Sequence, residues 1–181
     1  MIWVGSFKSL QSRLPKLRFT DAPLEVRTWV QSEIAQISPL VDWMMNLIAA
    51  SRCVRGEEQL VELALREALS NAIVHGNRLD ARKLVRVCCR CERGNGVFLI
   101  VRDQGNGFDP SKVPDPLAFE NLAAEHGRGI HLMKLAMDGI SFQRGGTEIR
   151  MQKRVGLEQK TCAPALRVET PCDGSLTAGN S

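Results

Sequence analysis

Two consecutive stretches constrain the fold of this chain most strongly, the first with alternating apolar and polar residues and the second with a run of β-forming apolar residues. They cover residues 83–92 and 97–103 and are joined by the turn Gly94-Asn95-Gly96. Because alternation with a period of two places every second side chain on the same face, the stretches predict a β-hairpin with one apolar face. An apolar face must be covered, so the fold has to supply a second layer.

Two further segments predict strands of the same sheet. Residues 140–144 and 147–153 form a second candidate hairpin across two glycines. Residues 25–35 carry β-forming residues with partial alternation, which predicts a first strand, although a helix fits that segment almost as well.

Three segments with apolar residues at helical spacing predict the second layer. Ser38 and Pro39 are suited to the cap and the first position of the earliest helix. The three helices are expected over about 39–51, 57–75 and 130–137. Strand, helices, strands, loop, helix and strands in this order indicate an α+β fold, with the helices on one face of a mainly antiparallel sheet.

The predicted elements lie within residues 25–154. We expect residues 1–24 to be a leader, either partly disordered or an upstream start, because they lack clear periodicity. Residues 155–181 are expected to be a disordered tail because of their composition. The net charge is +4 from 24 basic and 20 acidic residues, and four basic residues before Asp21 account for all of it. The remainder is neutral, so direct binding to nucleic acid is not expected.

The chain has the sequence character of a cytoplasmic protein. No apolar run approaches the roughly 18 residues of a membrane span, and the start lacks a signal-cleavage pattern, so we expect no membrane contact. Of six cysteines, Cys88 and Cys91 have metal-ligand spacing, but alternation places them on opposite faces of a strand. Reduced, packed thiols are the better interpretation.

The helix over 57–75 carries three polar residues inside its apolar arc. Glu67, Asn71 and His75 lie there, each four residues from the next, whereas Ile73 falls on the side that should face water. One explanation is structural, with Asn71 bonding to backbone and Glu67 reaching the surface. The alternative is a polar cavity in which Asn71 helps to hold a hydrated Mg²⁺ and Glu67 orients or deprotonates a hydroxyl.

Asp103 follows a buried strand and precedes Gly105 and Gly107. This pattern is compatible with a plain turn. It also suits a site where the backbone comes close to a ligand and the carboxylate accepts a hydrogen bond from an exocyclic amine such as that of adenine.

Gly127, Arg128 and Gly129 open the helix expected near residue 130. Glycine-flanked amides at a helix N-terminus form an anion site suited to phosphates. Arg128 either steadies phosphate charge or lies in solvent. Neither a dinucleotide fingerprint nor a Walker loop is present in the sequence.

Four motifs in this order resemble the GHKL ATP-binding family. ALREALSNAIVHG resembles its N box, DQGNGF its first glycine box, HGRGI its second glycine box, and the Gly-Gly-Thr hairpin its terminal Gly-Thr. The resemblance covers roughly residues 25–153, and the spacing is similar to that of the bacterial anti-sigma-factor serine kinases. It implies a two-layer α/β sandwich of the Bergerat type, with a mixed sheet.

The resemblance also implies a role for each matched residue. Glu67 would activate the nucleophile, Asn71 would ligate Mg²⁺ and Asp103 would bond the adenine amino group. The remaining matched residues would shape the pocket around the base or line the phosphates, and these are Gly105, Gly107, Thr147, Gly127, Arg128 and Gly129. The second glycine box lacks a lysine, so Arg128 or Lys134 would have to supply any cationic help.

Members of the anti-sigma group phosphorylate a serine on a small antagonist protein, bind a sigma factor and usually dimerise. The resemblance therefore implies an ATP- and Mg²⁺-dependent serine/threonine protein kinase. The alternative is a catalytically inactive nucleotide-binding switch that acts by protein binding only.

Overall fold

The computed structural model describes residues 2–11, 23–109 and 128–155. The strands in this part of the chain are β1 (Ile2–Ser6), β2 (Leu24–Gln31), β3 (Leu84–Glu92), β4 (Gly96–Arg102), β5 (Gly139–Gln143) and β6 (Glu148–Lys153). The helices are α1 (Phe7–Gln11), α2 (Ile37–Ser51), α3 (Glu58–Ser70) and α4 (Arg128–Ala136). Short 3₁₀ turns at Ile34–Gln36 and Arg144–Gly146 and a π-helical turn at Asn71–Gly76 complete the described elements.

The strands form one mixed sheet in the order β1-β2-β3-β4-β6-β5. β1 runs parallel to β2, and every other neighbouring pair is antiparallel. Both predicted hairpins, the first strand and the three predicted helices are present. The predicted α+β architecture, with a mainly antiparallel mixed sheet, is confirmed.

One face of the sheet forms the core with the helices. Val26, Cys89, Leu99 and Met151 are successive cross-strand neighbours, and all four are buried. The helices contribute fully buried side chains that include Leu40, Met44, Leu47, Leu65, Leu69 and Met133. The strand side chains therefore lie as predicted, with the core positions on one face of the sheet and the polar positions on the other.

The leader departs from expectation, because residues 2–11 carry regular structure. β1 pairs in parallel with β2 from Ile2 opposite Glu25 to Ser6 opposite Trp29. The Phe7 ring meets the Trp43 ring edge-on at 5.7 Å between centroids. The strand supplies hydrogen-bond partners to an edge that β2 would otherwise leave open. The strand sequence IWVGS does not alternate between apolar and polar residues, so a period of two does not reveal it.

The start of α2 also differs from the prediction. The helix begins at Ile37, directly after the 3₁₀ turn, and Ser38 lies inside it rather than capping it. Because the preceding residues are already helical, no side-chain cap is needed. The Ser38 hydroxyl instead accepts a hydrogen bond from the Arg66 guanidinium at 3.2 Å.

A buried lysine ties the two helices nearest the cavity to the sheet. The Lys153 Nζ lies 3.2 Å from the Glu57 carboxylate and 3.2 Å from the Asp138 carboxylate. Burial opposes its charge, but the hydrogen bonds to Asp138 and Glu57 prevail and raise the pKa of Lys153. Glu57 precedes α3 and Asp138 follows α4, so these two helices run antiparallel.

The four cysteines in the described ranges pack as thiols. Cys91 is buried in the core and Cys88 lies on the opposite face, as the alternation predicts. The Cys89 and Cys91 sulfurs are 3.7 Å apart. The pKa of Cys53 is raised far above the ordinary thiol range by a hydrogen bond with Cys91 and by burial, so the Cys53 thiol stays neutral.

Among the described residues, no helix combines the length and the apolar character needed to cross a membrane.

The packing of α3 generates a stability prediction. Leu69→Ala should lower the free energy of unfolding by about 2–5 kcal/mol, because this side chain is fully buried beneath the sheet. Leu135→Ala is the control, since Leu135 on α4 is 69% exposed and its loss should change stability by less than about 0.5 kcal/mol. Urea unfolding measures both variants. Equal effects would contradict the described orientation of α3.

Candidate functional site

A cavity of about 630 Å³ opens where the C-terminal end of α3 and the π-helical turn meet the end of β4 and the start of α4. Seven of the nine residues singled out from the sequence line it, namely Glu67, Asn71, Asp103, Gly105, Gly107, Gly129 and Thr147. Arg128 is exposed at the first position of α4 and does not line it, and Gly127 lies outside the described residues.

Asp103 forms one end of the cavity. Its Oδ1 accepts a hydrogen bond from the Gly105 amide at 2.7 Å. A Cβ on Gly76 would lie only 2.5 Å from the Asp103 Cγ, so the carboxylate packs directly on the glycine backbone. Burial raises the pKa of Asp103 above its ordinary value, and the hydrogen bond from Gly105 only partly offsets this. The carboxylate is therefore an acceptor held in a partly desolvated place.

The loop after Asp103 is shaped by a glycine that no other residue can replace without strain. Gly107 has φ +73°, and a Cβ there would overlap the Gly145 carbonyl oxygen. The same carbonyl accepts a hydrogen bond from the Phe108 amide at 3.0 Å. This close approach joins the loop to the turn between β5 and β6.

Thr147 lies beside this junction. Its hydroxyl donates to the Arg144 carbonyl at 3.0 Å, and its own carbonyl accepts from the Asp103 amide at 3.0 Å. Thr147 therefore extends the pairing of β4 with β6 by one residue and brings its side chain to the cavity wall.

Glu67, Asn71 and Gly129 meet at the other end of the cavity. A Cβ on Gly129 would lie 2.5 Å from Glu67 Oε2 and 3.6 Å from either amide atom of Asn71. Both polar side chains thus lie beside the N-terminal turn of α4, where backbone amides give a partial positive charge. Within the described ranges, neither side chain makes a hydrogen bond or an ion pair. They are available to a ligand.

The π-helical turn distorts the last part of the predicted helix. The Asn77 amide bonds to the Ala72 carbonyl at 2.8 Å, five residues back, instead of the usual four. The wider turn advances fewer degrees per residue, so Ile73 rotates into the core, contrary to expectation, and is fully buried. His75 is exposed at the cavity rim. Single π turns inside helices are frequent at functional sites.

Asn77 is a site residue that sequence reasoning missed. It is fully buried, its Oδ1 accepts from the Gln104 amide at 2.8 Å, and its Nδ2 donates to the Leu84 carbonyl at 3.3 Å. One amide therefore joins the end of the helix to the residue after Asp103 and to the start of β3. An Asn after a helix-terminal glycine is typical of a cap, which hides this second role.

Two basic residues that line the cavity were also missed. These residues are Arg78 and Lys83. Arg128 and Lys134, by contrast, are exposed and do not line the cavity. Arg78 and Leu79 have φ of 55° and 58°, a rare left-handed pair that directs the chain after the π turn. No composition or period predicts such backbone angles.

The two ends of the cavity suit one elongated ligand. Nine residues separate Glu67 from Gly76, which corresponds to about 13 Å along the helix axis. Apolar side chains line the wall, among them Val101, Met133, Phe142 and Ile149. A flat, partly apolar group with an amine would fit near Asp103, and an anionic group would fit near the start of α4.

Asn71 fits a role as a protein ligand for Mg²⁺. It brings an amide oxygen to the anion end, and Mg²⁺ is usually held by few protein oxygens together with water and phosphate. In the described part of the chain, no group of three or more His, Cys, Asp or Glu side chains is arranged to hold a metal. An ion here would therefore combine Asn71 with oxygens of the bound ligand.

Comparison with known proteins identifies relatives of the chain. The anti-sigma F factor of Heyndrickxia coagulans is 30% identical over 142 residues, which cover 75% of this chain and 86% of that protein. The anti-sigma F factor of Bacillus subtilis (strain 168) is 27% identical over 141 residues, with 75% and 86% covered. That of Clostridium botulinum (strain Alaska E43) is 28% identical over 136 residues, with 72% and 85% covered.

The sequence pattern of the family described as the histidine kinase-like ATPase domain matches residues 30–153. This match spans more than half of the chain and contains both ends of the cavity. The chain therefore belongs to the histidine kinase-like ATPase domain family, in which anti-sigma F factors are its relatives.

Proposed function

We propose that this protein is an ATP-dependent serine/threonine protein kinase of the anti-sigma-factor type. Membership of an ATPase domain family implies that ATP binds. The observation that carries the kinase proposal is the pairing of Glu67 and Asn71 at the N-terminus of α4, where neither side chain has a partner among the described residues. A carboxylate and an amide in this position match the needs of phosphoryl transfer.

The nucleotide would lie with its base at the Asp103 end. The Asp103 carboxylate accepts a hydrogen bond from the adenine amino group, and Gly105 and Gly107 let the backbone approach the ring. Thr147 closes the wall beside the base. Gly129, together with Gly127, would line the phosphates, and Arg128 would lie next to them at the exposed start of α4.

Transfer then depends on positioning and proton removal. Glu67 accepts the proton of the substrate serine hydroxyl, whose oxygen attacks the γ-phosphorus while the bond to the ADP oxygen breaks. Asn71 is the proposed protein ligand of Mg²⁺, which when bound neutralises charge on the phosphate oxygens. The amides at the start of α4 hold the remaining negative charge.

The proposed partners follow from what the relatives are named. Since they are anti-sigma F factors, we propose that this chain binds a sigma factor and phosphorylates a serine-bearing antagonist, acting as a cytoplasmic homodimer in transcription regulation. Direct binding to nucleic acid or to a membrane is not part of the proposal.

A second candidate is a nucleotide-binding switch that acts by protein binding only. The exposed positions of Arg128 and Lys134 favour it, because these two residues were expected to supply positive charge at the phosphates, whereas the basic residues that line the cavity are Arg78 and Lys83. The two candidates share the ATP site and differ in turnover.

Asp103→Ala should abolish ATP binding, because it removes the acceptor for the adenine amino group. Calorimetric titration of ATP, with and without Mg²⁺, measures this. Asp42→Ala is the matched control and should bind ATP as the wild type does, since Asp42 is exposed on α2 and pairs only with Arg66 among the described residues. Tight ATP binding by Asp103→Ala would contradict the adenine assignment.

Asp103→Asn should stabilise the nucleotide-free protein at neutral pH. Burial makes the pKa of Asp103 higher in the folded state than in the unfolded state. The protonated side chain therefore stabilises the wild type below the unfolded-state pKa, and this stabilisation is lost as pH rises through the folded-state pKa. Asparagine does not titrate and still accepts from Gly105. Urea unfolding should therefore show a larger advantage for the variant at about pH 7 than at about pH 4. An advantage independent of pH would refute this expectation.

Glu67→Gln should bind ATP but transfer no phosphate, because the amide cannot accept the serine proton. Labelled ATP and candidate antagonist proteins from the same genome provide the assay. Glu62→Gln, on the same helix and paired with Arg66, is the control and should transfer normally. Undiminished transfer by Glu67→Gln would remove this residue from the mechanism. No transfer by the wild type to any antagonist would favour the switch.

A further inference from the structure

The face of the sheet that points away from the helices carries a cross-strand row of four large side chains. Trp29 of β2, Arg86 of β3, Arg102 of β4 and Glu148 of β6 are successive partners in the register. They occupy the polar positions of the alternation, opposite to the core positions. We call this side of β2, β3, β4 and β6 the outer face.

The charges in this row do not balance. Arg86 and Arg102 stand directly opposite each other, an arrangement that costs stability in a sheet. In the ranges that the structure describes, neither guanidinium has a hydrogen bond or an ion pair. Glu148 is already engaged, since it accepts from Arg144 Nε at 3.1 Å and from Arg150 Nε at 2.8 Å, and its side chain is only 7% exposed. Among the described residues, no carboxylate therefore forms an ion pair with either guanidinium, and Asp103 attracts Arg102 only at longer range.

A groove of about 490 Å³ lies beside these arginines. Arg86 and Arg102 line it together with Arg27 and Glu148, which are engaged in ion pairs elsewhere, and with the apolar side chains of Trp29, Cys88 and Ile100. Trp29 is 37% exposed, although tryptophan side chains are usually mostly buried. A smaller hollow of about 290 Å³ at the end of β4 is lined by the same two arginines. The groove therefore combines two guanidinium groups with an apolar floor.

We propose that the outer face docks a segment of a partner protein that presents carboxylates next to apolar side chains. Guanidinium groups bind carboxylates through two parallel hydrogen bonds, and a carboxylate between Arg86 and Arg102 would relieve their mutual repulsion. Trp and Arg are the residues that most often anchor protein interfaces. Trp29 and Ile100 would receive the apolar side chains. The proposal does not depend on phosphate transfer.

Charge decides against two other occupants. A nucleic acid repeats its phosphates along its whole backbone, so some of them would lie against Glu25, Glu92 and Glu148 of the outer face and be repelled, whereas a peptide can place its carboxylates at Arg86 and Arg102 alone. A second copy related by a two-fold axis through the groove would oppose the arginine pair with its own image. An acidic, partly apolar segment meets neither obstacle.

The test measures binding of a fluorescein-labelled peptide of alternating glutamate and leucine to the full chain by anisotropy, without ATP. Saturable binding is expected, and it should weaken about tenfold or more in Arg86→Gln and in Arg102→Gln. Arg52→Gln removes the same charge from the loop after α2, on the helix side of the sheet, and should bind within about twofold of the wild type. A peptide with glutamine in place of glutamate should not bind.

Urea unfolding provides a second test, because an arginine with a purely structural role would lower stability when replaced. Arg86→Gln should unfold at the same or a higher urea concentration than the wild type, because it relieves the repulsion with Arg102. Unfolding of Arg86→Gln at a lower urea concentration than the wild type would contradict the repulsion between Arg86 and Arg102.

Four results would overturn the proposed partner. The glutamate peptide could fail to bind, or it could bind Arg86→Gln as tightly as it binds the wild type. A single-stranded oligonucleotide could bind instead, in a way that depends on the arginines. Sedimentation could also show that Arg86→Gln converts an oligomer of this chain to a monomer.

Discussion

The contact between the Gly76 backbone and the Asp103 carboxylate fixes how the helix layer meets the end of the sheet. Any side chain at position 76 would displace the carboxylate, and one at Gly105 would strike the carbonyl of Gly76. Asn77 then secures the same junction with two hydrogen bonds to backbone on the sheet side. The cavity exists because helix and strand end at the same place without side chains between them.

The elements of this fold could be predicted because each has a strong period or a clear boundary. β3 alternates over its full length, β4 is an apolar run between a glycine turn and a charged end, and α3 carries an apolar stripe that only a helix can bury on one side. β1 could not be predicted, since its sequence has no alternation and it acquires its identity from its partner β2. Its pairing is tertiary information that a local pattern does not contain.

The candidate site divides in the same way. Residues that occupy the ends of regular elements, such as Glu67, Asn71 and Asp103, stood out because a polar group interrupts an apolar pattern there. Arg78 and Lys83 follow an irregular backbone, and their approach to the cavity depends on left-handed angles and a π turn. The register of a π turn depends on packing against the sheet, so the sequence carries no separate signal for it.

The hydrogen bond between the Asp103 amide and the Thr147 carbonyl has a consequence for how the chain can vary. The chain leaves β4 at Asp103 and pairs with that strand again at Thr147, after β5, so the β4–β6 pairing holds both ends of this long connection together. The entropy of closing a loop grows only with the logarithm of its length, by about 0.6 kcal/mol per doubling. The register between β4 and β6 is therefore insensitive to the length of the chain that joins the two strands.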